Sequence, residues 1–216
     1  MTRLERIRRV AGREDGLTLV EMLVAMVFIA ILFTAFSALA STTMTQSTYI
    51  NKNSVLQKQV RSAVNEMLTE IREAYPPTPS STSAFVPATL TQNQLELYAP
   101  DMTYSSGNPT TFYLREINYQ VSNGTLSRQV ALSTTTGTPA TTSWAYGAWG
   151  PSVPEISGIT NTNGNIFTYY TDDNPPLVTT NPALASTVVV TLTVSNAHSS
   201  AGTFTYSDSA TLRVAP

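Results

Sequence analysis

The residue types that usually carry enzyme chemistry are scarce in this 216-residue chain, which has no cysteine and a single histidine, His198. Without cysteine the chain offers neither a thiolate nucleophile nor a thiolate metal ligand. The sequence also lacks a Gly-x-Ser-x-Gly motif and a phosphate-binding loop, and its acidic residues are scattered. We therefore expect a protein that is not an enzyme.

Asp172, Asp173 and Asn174 place three oxygen-bearing side chains in a row, and Ca²⁺ prefers oxygen ligands. The stretch has no glycine and no closing glutamate where an EF-hand loop requires them, so a polar turn is the favoured interpretation. His198 lies in the polar segment 195–202 and is interpreted as a surface residue rather than a ligand or a base. The sequence thus predicts no metal ion and no other cofactor.

The one stretch that suggests chemistry done to the chain is Gly16-Leu17-Thr18-Leu19-Val20-Glu21. The apolar run 22–40 follows directly and contains no formal charge, glycine or proline. As a helix this run is roughly 28 Å long, enough to cross the hydrocarbon layer of a membrane. Two other interpretations stay open. One is a secretory signal, for which the run is long and lacks a clean small-x-small cleavage site, and the other is a signal anchor capped by Thr18 and Glu21.

The order of glycine, apolar residue, threonine, leucine, valine and glutamate, with the membrane span beginning at once, resembles the class III signal of type IV prepilins and pseudopilins. The resemblance implies that an inner-membrane prepilin peptidase cuts between Gly16 and Leu17 and methylates the new amino group of Leu17. It also implies that Glu21 pairs with the amine of a neighbouring subunit and so sets the register of a filament. Two positions depart from the usual pattern, because Leu17 replaces the commoner phenylalanine and Glu14-Asp15 precede the glycine.

The charge distribution predicts how the chain is oriented in a membrane. Residues 1–16, the expected leader, hold five arginines and three acidic side chains, and this net charge of about +2 keeps them in the cytoplasm. The rest of the chain has seven basic and eleven acidic side chains, and its head is expected outside the cytoplasmic (inner) membrane. This acidic surplus argues against a nucleic-acid-binding surface, for which a clustered basic face is expected.

The elements that position these residues begin with a long helix over 17–75. No glycine or proline occurs in that range, and Pro76-Pro77 ends the helix at or before Tyr75. In its second half an apolar stripe recurs at spacings of three and four residues, and charged side chains fall largely off it. The stripe consists of Leu56, Val60, Val64, Met67 and Ile71, and the charged residues are Lys58, Arg61, Glu66, Glu70 and Glu73. We expect the stripe to pack on a β head, with a coiled coil or a simple stalk as the alternative.

A β-rich head is predicted over 84–216, joined to the helix by a linker rich in proline, serine and threonine over 76–83. The strand candidates are 85–90, 94–98, 111–121, 125–132, 166–170, 187–194 and 203–214. Asn123-Gly124, between two alternating runs, predicts a type I′ hairpin and antiparallel pairing. The expected fold class is therefore α+β and pilin-like, with a long N-terminal helix packed on an antiparallel β head.

The hairpin carries a second resemblance. Its series consists of Phe112-Tyr113-Leu114-Arg115, Tyr119, Asn123-Gly124, Leu126 and Arg128. It is similar to the pattern of tyrosine, glycine turn, leucine, any residue and arginine in minor pilins of the W class and in the minor pseudopilin J of type II secretion. Residues 167–170 and 209–214 fit the same class. The resemblance implies a minor subunit that joins other minor and major pilins or pseudopilins and primes or caps a filament.

Trp144, Tyr146 and Trp149 cluster in a loop rich in threonine and glycine. They are candidates for an exposed contact with a surface, a sugar or a neighbouring subunit, whereas the favoured alternative is a lid folded back over the sheet. Two rival functions stay open. One is a pilus-tip adhesin or DNA-uptake subunit that uses these aromatic side chains, and the other is a single-pass membrane-anchored surface protein that keeps residues 1–16. A pilus, a competence filament and a type II secretion system all fit the filament interpretation.

Overall fold

The computed structural model describes residues 18–77, 81, 83–86, 90–101, 112–137, 144–162, 164–195 and 203–212. They form one long helix, α1 (Leu19–Glu73), and seven strands. The strands are β1 (Gln94–Asp101), β2 (Phe112–Ser122), β3 (Thr125–Gly137), β4 (Val153–Ser157), β5 (Phe167–Tyr170), β6 (Thr187–Ser195) and β7 (Thr203–Thr211). This α+β layout, with a long apolar N-terminal helix and an antiparallel β head, confirms that part of the predicted fold.

The chain divides into two compact units, Met1–Asn51 and Lys52–Pro216. In the first unit α1 has exposed side chains from Leu19 to Leu39. An 18-residue window of this helix has a mean hydropathy of 2.6, and none of the window is buried. The helix is therefore long and apolar enough to cross a membrane, a property shared by membrane anchors and signal sequences.

The second unit contains two antiparallel sheets. β1 to β4 form a four-stranded sheet in chain order, and β5 to β7 form a three-stranded sheet in chain order. The turn between β2 and β3 is the predicted two-residue hairpin, because Asn123 and Gly124 both have positive φ, 50° and 72°. Ile159 joins the sheets: it bridges to Val194 of β6, and its N–H donates to the carbonyl oxygen of Gly124 at 2.9 Å.

One hydrophobic core joins the second half of α1 to both sheets. Four residues of the predicted stripe, Val60, Val64, Met67 and Ile71, are buried, and Leu56 packs against the same core. Their partners are alternate strand residues, which include Leu95, Leu97, Ile117, Tyr119, Leu126, Phe167, Val188, Val190 and Leu192. The stripe therefore packs on a β head within this chain rather than in a coiled coil.

Several strands differ from their predictions. The sequence did not indicate β4, a five-residue edge strand in which Pro154 interrupts the strand signal. The predicted strand 85–90 is only partly described: Phe85 makes a single bridge to Leu97, and the N–H of Val86 donates to the carbonyl oxygen of Glu96 at 3.1 Å. β3 also runs five residues past its predicted end, to Gly137.

Candidate functional site

The start of α1 carries the predicted site residue Glu21 in its first turn. The N–H of Thr18 donates to Oε2 of Glu21 at 3.4 Å, and the N–H of Glu21 donates to Oγ1 of Thr18 at 3.3 Å. This reciprocal pair is a capping box, which satisfies N–H groups that have no partner inside the helix. Both side chains are nevertheless exposed, so the carboxylate is open to a second molecule. The predicted cleavage and methylation residues, Gly16 and Leu17, lie outside the described residues.

Beyond its apolar run, α1 continues through a threonine-rich stretch whose hydroxyls bond within the helix. Thr42, Thr43, Thr45 and Thr48 each donate to the carbonyl oxygen four residues earlier, at 2.9 to 3.0 Å. A threonine bonded in this way presents its methyl group outward without an unpaired donor. The stretch is therefore compatible with an apolar environment despite its polar composition.

The predicted aromatic residues lie in one segment, 144–150, which runs along the edge of β3. Three backbone hydrogen bonds hold it there: Thr134 N–H to Ala145 O at 2.7 Å, Gly147 N–H to Leu132 O at 2.9 Å, and Gly150 N–H to Val130 O at 2.9 Å. Trp144 and Tyr146 are half-buried, whereas Trp149 is 39% exposed. We call residues 144–150 the aromatic strap.

Tyr146 reaches from the strap across one face of the four-stranded sheet. Its ring stacks on that of Tyr98 of β1, with centroids 5.6 Å apart and planes inclined by 30°. β2 and β3 separate β1 from the strap, so the two stacked rings cover the part of this sheet face that lies between β1 and the strap. Ala131 of β3, on this face, is 1% exposed. The strap thus lies against the sheet, as the lid interpretation expects, and Trp149 is the most exposed of its three aromatic side chains.

Two carboxylates share this face of the sheet. Glu96 of β1 and Glu116 of β2 alternate with core residues and so point away from α1. The register pairs Tyr98 with Glu116 and Glu96 with Asn118, which places the two carboxylates diagonally on neighbouring strands. Burial raises the pKa of Glu96, and burial together with the charge of Glu96 raises the pKa of Glu116. Sequence reasoning missed this pair because it depends on strand register.

A second site that the sequence did not indicate lies on the opposite face, between α1 and the sheet. Glu70 of α1 was expected off the buried stripe, yet it is only 4% exposed. Arg128 Nη2 donates to its Oε1 at 2.5 Å, the hydroxyl of Tyr119 donates to its Oε2 at 2.7 Å, and Arg115 Nη2 lies 3.5 Å from Oε1. We call Glu70, Tyr119, Arg115 and Arg128 the Glu70 clamp.

The clamp explains the residues of the hairpin pattern physically. Tyr119 and Arg128 are cross-strand partners in the β2–β3 register, and Leu126 of the same hairpin is fully buried. Burial alone lowers the pKa of the Arg128 guanidinium, but its hydrogen bond and charge pairing with Glu70 outweigh that cost and raise it. Burial, and then the charge of Glu70, raises the pKa of the Tyr119 phenol. The clamp therefore holds a charged Arg128 guanidinium and a neutral Tyr119 phenol against Glu70 at neutral pH.

The structure gives no support to a metal centre within the part of the chain that it describes. Asp172, Asp173 and Asn174 are exposed, and no group of three or more metal-ligating His, Cys, Asp or Glu side chains occurs among the described residues. His198 lies outside those residues. Comparisons with protein-family models and with curated proteins found no match.

Proposed function

We propose that the chain is a minor pilin or pseudopilin, a structural subunit of a type IV pilus-like filament. The observation that carries the proposal is the stretch from Gly16 to Glu21, followed without a gap by an exposed apolar helix. The chain is a substrate of a prepilin peptidase rather than an enzyme. It resides in the cytoplasmic membrane with its head outside and then enters an extracellular or periplasmic filament with other pilins or pseudopilins.

The chemistry at the start of α1 supports this assignment. Cleavage after Gly16 leaves Leu17 with a cationic amine one helical turn from Glu21. The capping box uses only Oε2 of Glu21 and leaves Oε1 without a partner among the described residues. An amine from a neighbouring subunit fits that oxygen, because ion pairs strengthen where neighbouring apolar helices exclude water.

The head supports a minor rather than a major subunit. The residues that resemble the W and J class, Tyr119, Leu126 and Arg128, are those that fix the hairpin to α1 through the core and the Glu70 clamp. A minor subunit of this class primes or caps assembly, and in this chain the hairpin is fixed to the second half of α1 within one unit.

The test is to identify the mature N-terminus by mass spectrometry, with and without a co-expressed prepilin peptidase. We expect a chain that begins at N-methylated Leu17, and we expect Gly16→Ala to block cleavage. Glu21→Ala should leave cleavage largely intact but remove the chain from sheared filaments, whereas Thr18→Ala, which disrupts the cap alone, should assemble. Retention of residues 1–16 in the presence of an active peptidase refutes the proposal.

A plain membrane anchor is the second candidate, and the capping box favours it. Thr18 and Glu21 satisfy each other locally, so a carboxylate at this position is stable without any neighbouring subunit. If this function is correct, Thr18→Ala and Glu21→Ala should have similar effects, because each removes one half of the same cap. The comparison of these two variants therefore separates the two functions.

A further inference from the structure

We propose that the aromatic strap binds the four-stranded sheet more tightly at acid pH, because Glu96 and Glu116 beneath it take up protons. At higher pH the ionised pair loosens the strap and makes Trp144, Tyr146 and Trp149 available for contact. The proposal does not depend on the pilin assignment, because every residue that it uses lies in the second unit.

The first argument is geometric. Tyr98 lies directly opposite Glu116 in the sheet, and Tyr146 of the strap stacks on Tyr98, so the two rings limit access of water to that carboxylate. Glu96 occupies the diagonal position on the same face. No described lysine or arginine forms an ion pair with either carboxylate. Two negative carboxylates partly shielded from water by these rings are unfavourable without a cationic partner.

The second argument concerns hydrogen bonds. Oδ1 of Asn118 and the hydroxyl of Tyr146 are both buried and have no hydrogen-bond partner among the described residues. Asn118 lies opposite Glu96 and two residues from Glu116 on the same face. Oδ1 of Asn118 is an acceptor that has no donor in the described part of the chain. A protonated carboxyl has an O–H that can donate to it, whereas a carboxylate can only accept. In the proposed acid form, the carboxyl of Glu96 or Glu116 donates to Oδ1 of Asn118, which otherwise stays buried without a described partner.

The titratable groups facing this region are few. β1 contributes Glu96 and Tyr98, β2 contributes Glu116, and the strap contributes Tyr146, while β3 presents uncharged side chains. Burial first, and then the charges of Glu116 and Glu96, raise the pKa of Tyr98; burial, then Tyr98 and Glu116, raise the pKa of Tyr146. Both phenols therefore stay neutral, and the carboxyls are the groups that change charge between pH 4 and 8.

The two tryptophans of the chain, Trp144 and Trp149, both lie in the strap and report on it directly. We would measure acrylamide quenching of their fluorescence from pH 4 to pH 8, on the full chain in detergent micelles. In the unmodified chain we expect quenching to rise with pH, with a midpoint above 4.5, the ordinary value for glutamate. The ratio of docked to undocked strap changes at most tenfold per pH unit for each carboxyl.

The Glu96→Gln/Glu116→Gln variant should keep the low quenching of the acid form at every pH, because glutamine is neutral and carries donors. Asp173→Asn, an exposed acid in another loop, is the matched control and should follow the unmodified curve. A flat curve in the unmodified chain overturns the proposal without any variant. It is equally overturned if the double variant titrates like the unmodified chain. It is also overturned if the double variant shows, at every pH, the high quenching that the unmodified chain shows at pH 8, while far-UV circular dichroism shows it folded.

Discussion

Replacement of Arg128 by methionine should destabilise the second unit by about 3 kcal/mol. Glu70 is 4% exposed, and Arg128 is its closest cationic partner, at 2.5 Å. Removing one partner of a buried ion pair costs about 3 to 5 kcal/mol, because the other charge remains buried. Two contacts of Glu70 survive, with the Tyr119 hydroxyl at 2.7 Å and with Arg115 at 3.5 Å, which places the expected cost at the lower end of that range.

Methionine is the suitable replacement because it retains most of the apolar stem with which arginine fills space, so the loss of packing is small. A protein unit of this size loses roughly 2 to 4 °C in Tm per kcal/mol, so a fall of about 6 to 12 °C is expected. Thermal unfolding of the full chain in detergent micelles, followed by tryptophan fluorescence, measures it. Trp144 and Trp149 both lie in the second unit, so the signal reports on that unit.

Arg61→Met is the matched control. The Arg61 guanidinium lies 6.0 Å from the centroid of the Tyr206 ring, at an exposed position of α1. Such a contact contributes only about 0.5 to 1 kcal/mol. If Arg128→Met lowers Tm no more than Arg61→Met, the clamp is not a stabilising contact. The Glu70→Met/Arg128→Met double variant should be more stable than the sum of the two single losses predicts. The reason is that it removes the buried carboxylate that Arg128→Met alone leaves without its main partner.

Two further predictions concern the sheets. The raised pKa values of Glu96 and Glu116 mean that their protonated forms stabilise the fold, a contribution fully present below pH 4.5 and lost as the pH rises through the folded-state values. Glu116→Gln should therefore raise Tm at pH 7 and leave it nearly unchanged at pH 4; a fall in Tm at pH 7 contradicts this sign. Gly158→Ala should lower stability by at least about 2 kcal/mol, because Gly158 has a φ of 83° and an added Cβ would lie 2.6 Å from the Ser195 carbonyl oxygen. Gly147→Ala, whose Cβ meets nothing closer than 3.6 Å, is the control, and equal losses in urea unfolding would refute the strain argument.

Features set by local periodicity were predictable from the sequence. The stripe of α1 follows from spacings of three and four residues, and the β2–β3 hairpin from Asn123-Gly124 between alternating runs. Both depend on residues that are close in the chain, where backbone sterics and the period of side-chain direction decide the structure. The structure accordingly places these two elements almost where the sequence predicts them.

Features set by contacts between distant residues were not predictable in this way. Glu70 lies beside an apolar stripe, and partners far along the chain make its burial favourable, above all Arg128, 58 residues later. The stack of Tyr98 on Tyr146 depends on the register of three strands and on the path of the strap. No local pattern encodes such pairings, because each half is an ordinary surface residue on its own.

The uncharged part of α1 is longer than a membrane span requires. No formal charge occurs from Met22 to Asn51, and this stretch is about 45 Å long as a helix, whereas a bilayer core needs only about 30 Å. Met44 and Ile50, 71% and 64% exposed, lie in the excess. Threonine hydroxyls there are bonded within the helix. Covering Met44 and Ile50 removes apolar surface from water, so on the filament proposal we expect neighbouring helices to cover this stretch.

Because the chain has no cysteine, the labelling of a single introduced cysteine measures how far neighbouring helices cover this stretch. We expect Thr45→Cys in cells to react with a membrane-impermeant maleimide when Gly16→Ala blocks processing, and to be protected at least severalfold when processing and assembly proceed. Val27→Cys, within the apolar run, should be protected in both backgrounds, and Lys58→Cys should react in both. Equal labelling of Thr45→Cys in the two backgrounds would show that no neighbouring helix covers this stretch. A plain anchor would then account for α1, because burial of the excess length between subunits is what a filament adds.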